Sequence, residues 1–306
     1  MSMELLLDTH RDAVGESPLW HPGENALYWV DIEGQALNRW SEADGHRRWS
    51  VGECIGCIAL HAQGGLVAAL EREVVQLQPL ASGELHRRTL AQVDHAAPGM
   101  RFNDGRTDRQ GRFWAGTMVR GMQLNLAAGA LYRLDGDGLS APQRQGLYVP
   151  NGLAFSPAGD LAYFSDSHPL SQQIWRAPLH EDGTLGPAQV FVDMRTLPGR
   201  PDGAAVDAEG CYWICANDAG QVHRFTPDGQ LDRSLSVPVA KPSMCCFGGP
   251  QGDLLFITSI RPAQPTAEQG ALPGAVFVTR PGVCGLAERP FAPAGAALSP
   301  APVLSI

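Results

Sequence analysis

The chain has 306 residues and a net charge of −9, and only 18% of its residues are charged. An acidic, sparsely charged surface excludes a nucleic-acid or anionic-membrane partner, because phosphate binding needs a basic face. With 44% hydrophobic residues, 35 glycines and 24 prolines, the chain predicts a sizeable core crossed by many tight turns rather than long helices.

The first stretch, MSMELLLDTHRDAV, holds one short apolar run between acidic residues. It lacks the basic start and the roughly 7–15-residue apolar core of a secretory signal, and nothing in the chain approaches the ~20 apolar residues of a membrane span. Six similar units follow. They read ESPLWHPGENALYWVD from Glu16, GCIALHAQGGLVAAL from Gly56 and NDGRTDRQGRFWAGTM from Asn103. NGLAFSPAGDLAYFSDS from Asn151, DGAAVDAEGCYWICAND from Asp202 and MCCFGGPQGDLLFITS from Met244 complete the set. Each is an apolar strand, a turn with Gly, and a second strand rich in β-branched and aromatic residues. The glycine is the ninth residue of every unit except the first, where Gly23 comes one place early.

Most units continue with a third strand, such as ALNRWSE, GALYRLDGDG, QQIWRAPLHEDG or QVHRFTPDG, and then a fourth, such as AQVFVD or SLSV. Four short strands recurring every ~40–50 residues mark the blade of a β-propeller. A helical repeat would place its apolar residues three and four apart, and these segments do not. The expectation is an all-β, six-bladed propeller with four antiparallel strands per blade, forming a single domain over 1–306. The last unit lacks an outer strand. The N-terminal segment 4–7, ELLL, is placed to supply it, closing the ring and removing an open sheet edge.

The inner strand of each blade lines a central channel, so the first residues of the units form a ring: Glu16, Gly56, Asn103, Asn151, Asp202 and Met244. Four of them carry side-chain oxygens. Two carboxylates held close in a partly buried tunnel would repel, and one would tend to stay protonated. A bound cation relieves this. The all-oxygen set, without thiol or imidazole, suits one hard divalent ion, Ca2+ foremost, with Zn2+, Mn2+, Mg2+ or Fe2+ as alternatives. Three or four protein ligands leave coordination positions for water or substrate, the arrangement of a Lewis acid.

Other residues receive structural assignments. Asp31, Asp166 and Asp207 are expected to cap turns, and His168 to be a solvated loop histidine. No GxSxG elbow is present. The seven cysteines include a lone CxxC, Cys54 and Cys57, without the second pair a structural zinc would need. Free thiols in strands point to a reducing, cytoplasmic setting.

GESPLWHP around Glu16, RFNDG around Asn103, VPNGLAFSPAGD around Asn151, RPDGAAVDAEG around Asp202 and CCFGG near Cys246 resemble the senescence marker protein/gluconolactonase family, also called regucalcin-like, over nearly the whole chain. The resemblance implies a six-bladed propeller that binds a divalent metal in its channel and hydrolyses sugar lactones. It implies Glu16, Asn151 and Asp202 as metal ligands, and Arg101 and Asn103 as substrate-binding residues. One departure stands out. After AGTM the animal members carry an acidic residue that contacts substrate, whereas this chain has Val119, Arg120 and Gly121. The sequence looks closer to bacterial lactonases acting on glucono-, xylono- or arabinolactone. The expected partner is therefore a small-molecule sugar lactone, with Asp202 also serving as general base. Two other readings stay open: a non-enzymatic calcium-binding or interaction propeller, and a related metal-dependent esterase or phosphotriesterase.

Overall fold

Each unit folds into its own small antiparallel sheet, and the six sheets form a ring. The computed structural model describes residues 2–136, 138–264 and 270–293. The innermost strands are Gly15–His21, Cys57–Leu60, Met100–Thr107, Pro150–Phe155, Arg200–Val206 and Pro242–Gly248, in blades 1 to 6. Strand order follows the chain in every blade but the sixth, whose outermost strand comes from the N-terminus. Blade 3 varies the pattern, because its outer strand comes in two pieces, Gly138–Leu139 and Arg144–Leu147, both paired with Gly129–Asp135. The only helical elements among the described residues are two 3-10 turns, Met122–Leu124 and Met194–Thr196. No described helix is long and apolar enough to cross a membrane.

The ring closes as expected. Glu4 and Leu5 pair antiparallel with Val278 and Phe277, the outermost strand that the C-terminal part of the chain supplies to blade 6. This N-terminal strand is shorter than the segment expected from sequence, although Leu6 N–H still donates to Val276 O (2.9 Å).

The core is not one cluster but six apolar layers, one between each pair of neighbouring blades. Both faces of each blade are therefore covered, which explains why second strands such as Ala26–Asp31 and Tyr212–Asn217 are buried along their whole length. Blades meet closely where glycine removes a side chain. A Cβ on Gly56 would lie 2.6 Å from the backbone of Asn103, and one on Gly203 would lie 2.3 Å from Met244. The two members of the predicted ring without side-chain oxygens, Gly56 and Met244, thus serve contacts between blades.

The capping aspartates behave as expected. Asp31 accepts from the N–H groups of Ala13, Val14 and Gly34, Asp166 from those of Tyr148, Val149 and His168, and Asp207 from those of Glu209 and Cys211. Asp207 lies within ligand reach of Glu209 and Cys211, but Arg224 Nε and Trp213 Nε1 already donate to its carboxylate (2.9 and 2.8 Å). The guanidinium offsets the charge that a cation would neutralise.

The chain passes beneath the channel at the end remote from the ring of first positions. Ala208 N–H donates to Cys284 O, Gly285 N–H to Gly252 O, Phe291 N–H to Leu60 O and Ala292 N–H to Gly111 O. These bonds run from blades 5 and 6 to blades 2 and 3. Between them, Glu288 pairs with Arg106 from the inner strand of blade 3.

Candidate active site

Five of the six inner strands carry the same irregularity, two residues opposite one on the neighbouring strand. In blade 1 the register breaks between Glu16 and Leu19, in blade 3 between Phe102 and Gly105, and in blade 4 between Asn151 and Ala154. In blades 5 and 6 it breaks between Pro201 and Ala204 and between Pro242 and Cys245. A bulge bends the strand and re-aims side chains, and bulges concentrate next to active sites. Ser17 (φ 49) and Gly152 (φ 64) both take left-handed backbone in these bulges. Ser17 Oγ accepts from Ile58 N–H (2.9 Å), fastening the residue after Glu16 to blade 2.

The bulges explain a correction to the ring. Glu16 and Asn151 are the last residues paired before the break, opposite Val30 and Ser165. Asn103 and Asp202 are one position further along, inside the bulge. The polar residues therefore occupy two successive register positions rather than one.

The structure still brings them together. Asn103 Nδ2 donates to Asn151 Oδ1 (3.0 Å) and to Pro150 O (3.1 Å), and Arg101 Nη1 donates to Asn103 Oδ1 (2.7 Å). Asn151 Nδ2 donates to Ser167 Oγ (2.7 Å), and Asn217 Nδ2 to Asp202 Oδ2 (2.6 Å). All five predicted residues are buried. Burial first, and then the neighbouring charges of Asp202 and Asp104, push the Glu16 carboxyl well above the usual range. Burial pushes Asp202 up to about 7 despite the Asn217 hydrogen bond, and Asp104 adds to the rise.

Asp104 is the residue that sequence reasoning missed. Its carboxyl is raised by burial. Oδ2 accepts from Leu153 N–H (2.8 Å), two residues beyond Asn151, whereas Oδ1 is buried without a partner. Its position directly after Asn103 in RFNDG was the available signal. Asn217 and Ser167, which hold Asp202 and Asn151, lie on or just beyond second strands and share no repeat position with the ring.

His168 departs from expectation. It is buried, stacked on Tyr148 (4.5 Å between centroids), with Nε2 donating to Met122 O (3.2 Å) and Nδ1 accepting from Leu170 N–H (3.2 Å). It ties the loop after the second strand of blade 3 to that of blade 4.

The site fits a divalent cation. Three buried carboxyls, Glu16, Asp104 and Asp202, bear on one another, and one carboxylate oxygen is orphaned. The donors are oxygens, as a hard cation prefers. No described carboxylate ion-pairs with Arg101, a guanidinium whose charge lowers Glu16. In chelator, the raised Asp202 means that the folded state holds a proton the unfolded chain releases. The associated stability is present below about pH 4 and is lost as pH rises to about 7. Chelated wild type is therefore expected to lose stability relative to chelated Asp202→Asn between pH 5 and pH 8. Melting curves of both proteins check this, and parallel curves would rule out a buried, proton-holding Asp202.

Residues 14–261 match the family model described as the SMP-30/gluconolactonase/LRE-like region. The chain belongs to this family. It is 41% identical to a 6-deoxy-6-sulfogluconolactonase of Pseudomonas putida, over 91% of this chain and 95% of that protein. It is 32% identical to a pentonolactonase of Haloferax volcanii, over 80% and 81% of the two chains. A solved calcium-binding regucalcin of Agrobacterium tumefaciens superposes with a TM-score of 0.84 at 27% identity, covering 93% of this chain and 96% of that one. The family resemblance read from GESPLWHP, RFNDG and the other motifs is thus borne out, together with the six-bladed fold.

Proposed function

We propose that this chain is a metal-dependent hydrolase that opens sugar lactones to the corresponding sugar acids. The observation that carries the reading is the convergence of Glu16, Asn151 and Asp202 beside the hydrogen-bonded Arg101–Asn103 pair, in a chain whose relatives include a gluconolactonase-type and a pentonolactonase-type enzyme. Glu16, Asn151 and Asp202 would hold one divalent ion, Ca2+ foremost, and Asp104 would add negative charge behind them. When bound, such an ion supplies Lewis acidity toward the lactone carbonyl.

The chain's own residues supply the rest. Asn217 donates to Asp202 Oδ2, so Oδ1 would take a proton from the attacking water and later return it to the departing ring oxygen. Arg101 and Asn103 hold substrate hydroxyls, and Asn103 is itself fixed by its bonds to Pro150 and Asn151. A lactone is an activated ester, so no covalent nucleophile is required.

A panel of aldonolactones, simple esters and a phosphotriester tests the reading. Each is assayed after chelation and after re-addition of Ca2+, Zn2+, Mn2+, Mg2+ or Fe2+. Aldonolactone hydrolysis is expected to vanish on chelation and return with at least one metal. Full activity in chelator would remove the metal. Turnover of esters or the phosphotriester alone would replace the substrate class, and no turnover with any metal would favour a binding propeller.

A further inference from the structure

Arg120 lies next to Arg101 of the proposed substrate site. Arg101 pairs with Met118, and Met100 with Val119, so Arg120 falls opposite Gly99, to whose carbonyl its N–H donates (3.0 Å). Side chains two apart on a strand share a face. Arg120 is therefore the diagonal neighbour of Arg101 on one face of blade 3, at a distance of about 7–8 Å that long side chains span. Gly99 leaves the space opposite open, with no atom within 4 Å of where a Cβ would stand.

The two guanidinium groups are differently placed. Arg101 is 8% exposed, is not ion-paired with any described carboxylate, and has a buried Nε without a partner. Arg120 reaches Glu33 of blade 1 (3.0 Å) and Glu71 of blade 2 (3.4 Å), with side-chain exposures of 42%, 45% and 37% for the three residues. Solvated pairs of this kind are weak and exchangeable. Glu33 and Glu16 bear on Arg101 through space without pairing with it, and the like charge of Arg120 stands beside it, so a neutral polyol adds no charge to offset the second guanidinium. An anion does, because the planar fork matches sulfonate, phosphate and carboxylate oxygens.

Building on the lactonase reading above, we propose that Arg120, with Arg101 behind it, selects aldonolactones that carry an anionic group at the carbon farthest from the lactone carbonyl. The carbonyl end lies at Glu16, Asn151 and Asp202, and Arg120 stands one diagonal step outward from Arg101. The anion displaces Glu33 and Glu71 from Arg120.

The test uses the protein loaded in turn with Ca2+, Zn2+, Mn2+, Mg2+ or Fe2+ and four lactones: gluconolactone, its 6-phosphate, its 6-deoxy-6-sulfonate and the analogue with a carboxylate at that carbon. The corresponding anhydroalditols, which have no carbonyl to hydrolyse, are titrated calorimetrically in parallel. Wild type is expected to favour at least one anionic lactone over the neutral one in kcat/KM. Arg120→Glu should lower that preference roughly 10–100-fold, the worth of a charge-assisted contact, and Arg120→Lys should retain part of it. The preference should also shrink with added salt. Comparing the three anions shows which group the site takes. Equal turnover of all four lactones, or an unchanged preference in Arg120→Glu, overturns the inference and leaves the lactonase reading intact. Preferential binding of an anionic anhydroalditol, lost in Arg120→Glu, with no lactone hydrolysed, supports the anion site and sinks the lactonase reading.

Discussion

Glu16→Gln is expected to weaken Ca2+ binding about 100-fold and yet to raise the melting temperature of the chelated protein at pH 8. Both effects come from the same charge. Glu16 is buried, and its carboxyl is pushed up by burial and by the Asp202 and Asp104 charges. Without a cation, ionising all three groups together is unfavourable, so the amide relieves repulsion in the empty site. With a cation, the lost charge is the attraction that holds it. Ligand charge count is a main determinant of Ca2+ affinity, and changes merely in a ligand's support cost ~10–100-fold. The amide keeps an oxygen that can accept from Ser17 N–H, as Glu16 Oε2 does now (3.3 Å). The fold at the bulge should therefore survive. Calorimetric titration with Ca2+ and melting curves in chelator read the two effects separately. Unchanged affinity would remove Glu16 from the proposed ligands. A lower melting temperature in chelator would mean that Glu16 supports the fold rather than straining it.

The fold was legible because blade construction repeats. Turn glycines such as Gly111, Gly159 and Gly210 all take positive φ, a conformation that favours glycine, so they recur in the sequence wherever the first hairpin of a blade turns. The site was legible in composition but blurred in register. Counting back from the turn glycine sets Asn151 level with Asp202. The strand pairing sets Asn151 level with Pro201, because the stretch between the bulge and the turn glycine differs in length between blades. A repeat in sequence measures chain length, whereas a ring of side chains depends on pairing, and a bulge separates the two. Asp104 was lost for the same reason. It occupies the second bulge position, filled by Pro18, Leu153, Gly203 and Met244 in the other bulged blades, so no repeated polar pattern marked it. His168 was misplaced because its burial depends on Tyr148 and on the loop at Met122, contacts between blades that no local pattern shows.

The sharpest division of roles falls on Asp202. If it serves only as a ligand, Asp202→Asn keeps a coordinating oxygen, and Asn151 in the same site is already an amide. The new side chain can still present its carbonyl oxygen to Asn217 Nδ2, which now donates to Oδ2 at 2.6 Å. The substitution therefore preserves shape and the supporting hydrogen bond while removing the proton acceptor. Loss of a general base typically costs ~10²–10⁴ in rate. Asp202→Asn, assayed with its metal content shown to be stoichiometric, is accordingly expected to lose at least ~100-fold in kcat. Asn151→Asp removes no base, and under the same metal-saturated conditions it should retain more activity than Asp202→Asn. The comparison separates charge from chemistry, since one variant lowers the site's negative charge and the other raises it. Near-wild-type turnover by metal-loaded Asp202→Asn would transfer the base to another buried carboxyl. Glu16 is the next candidate, because its carboxyl is raised by the same burial and bears on the same pair, Asp202 and Asp104.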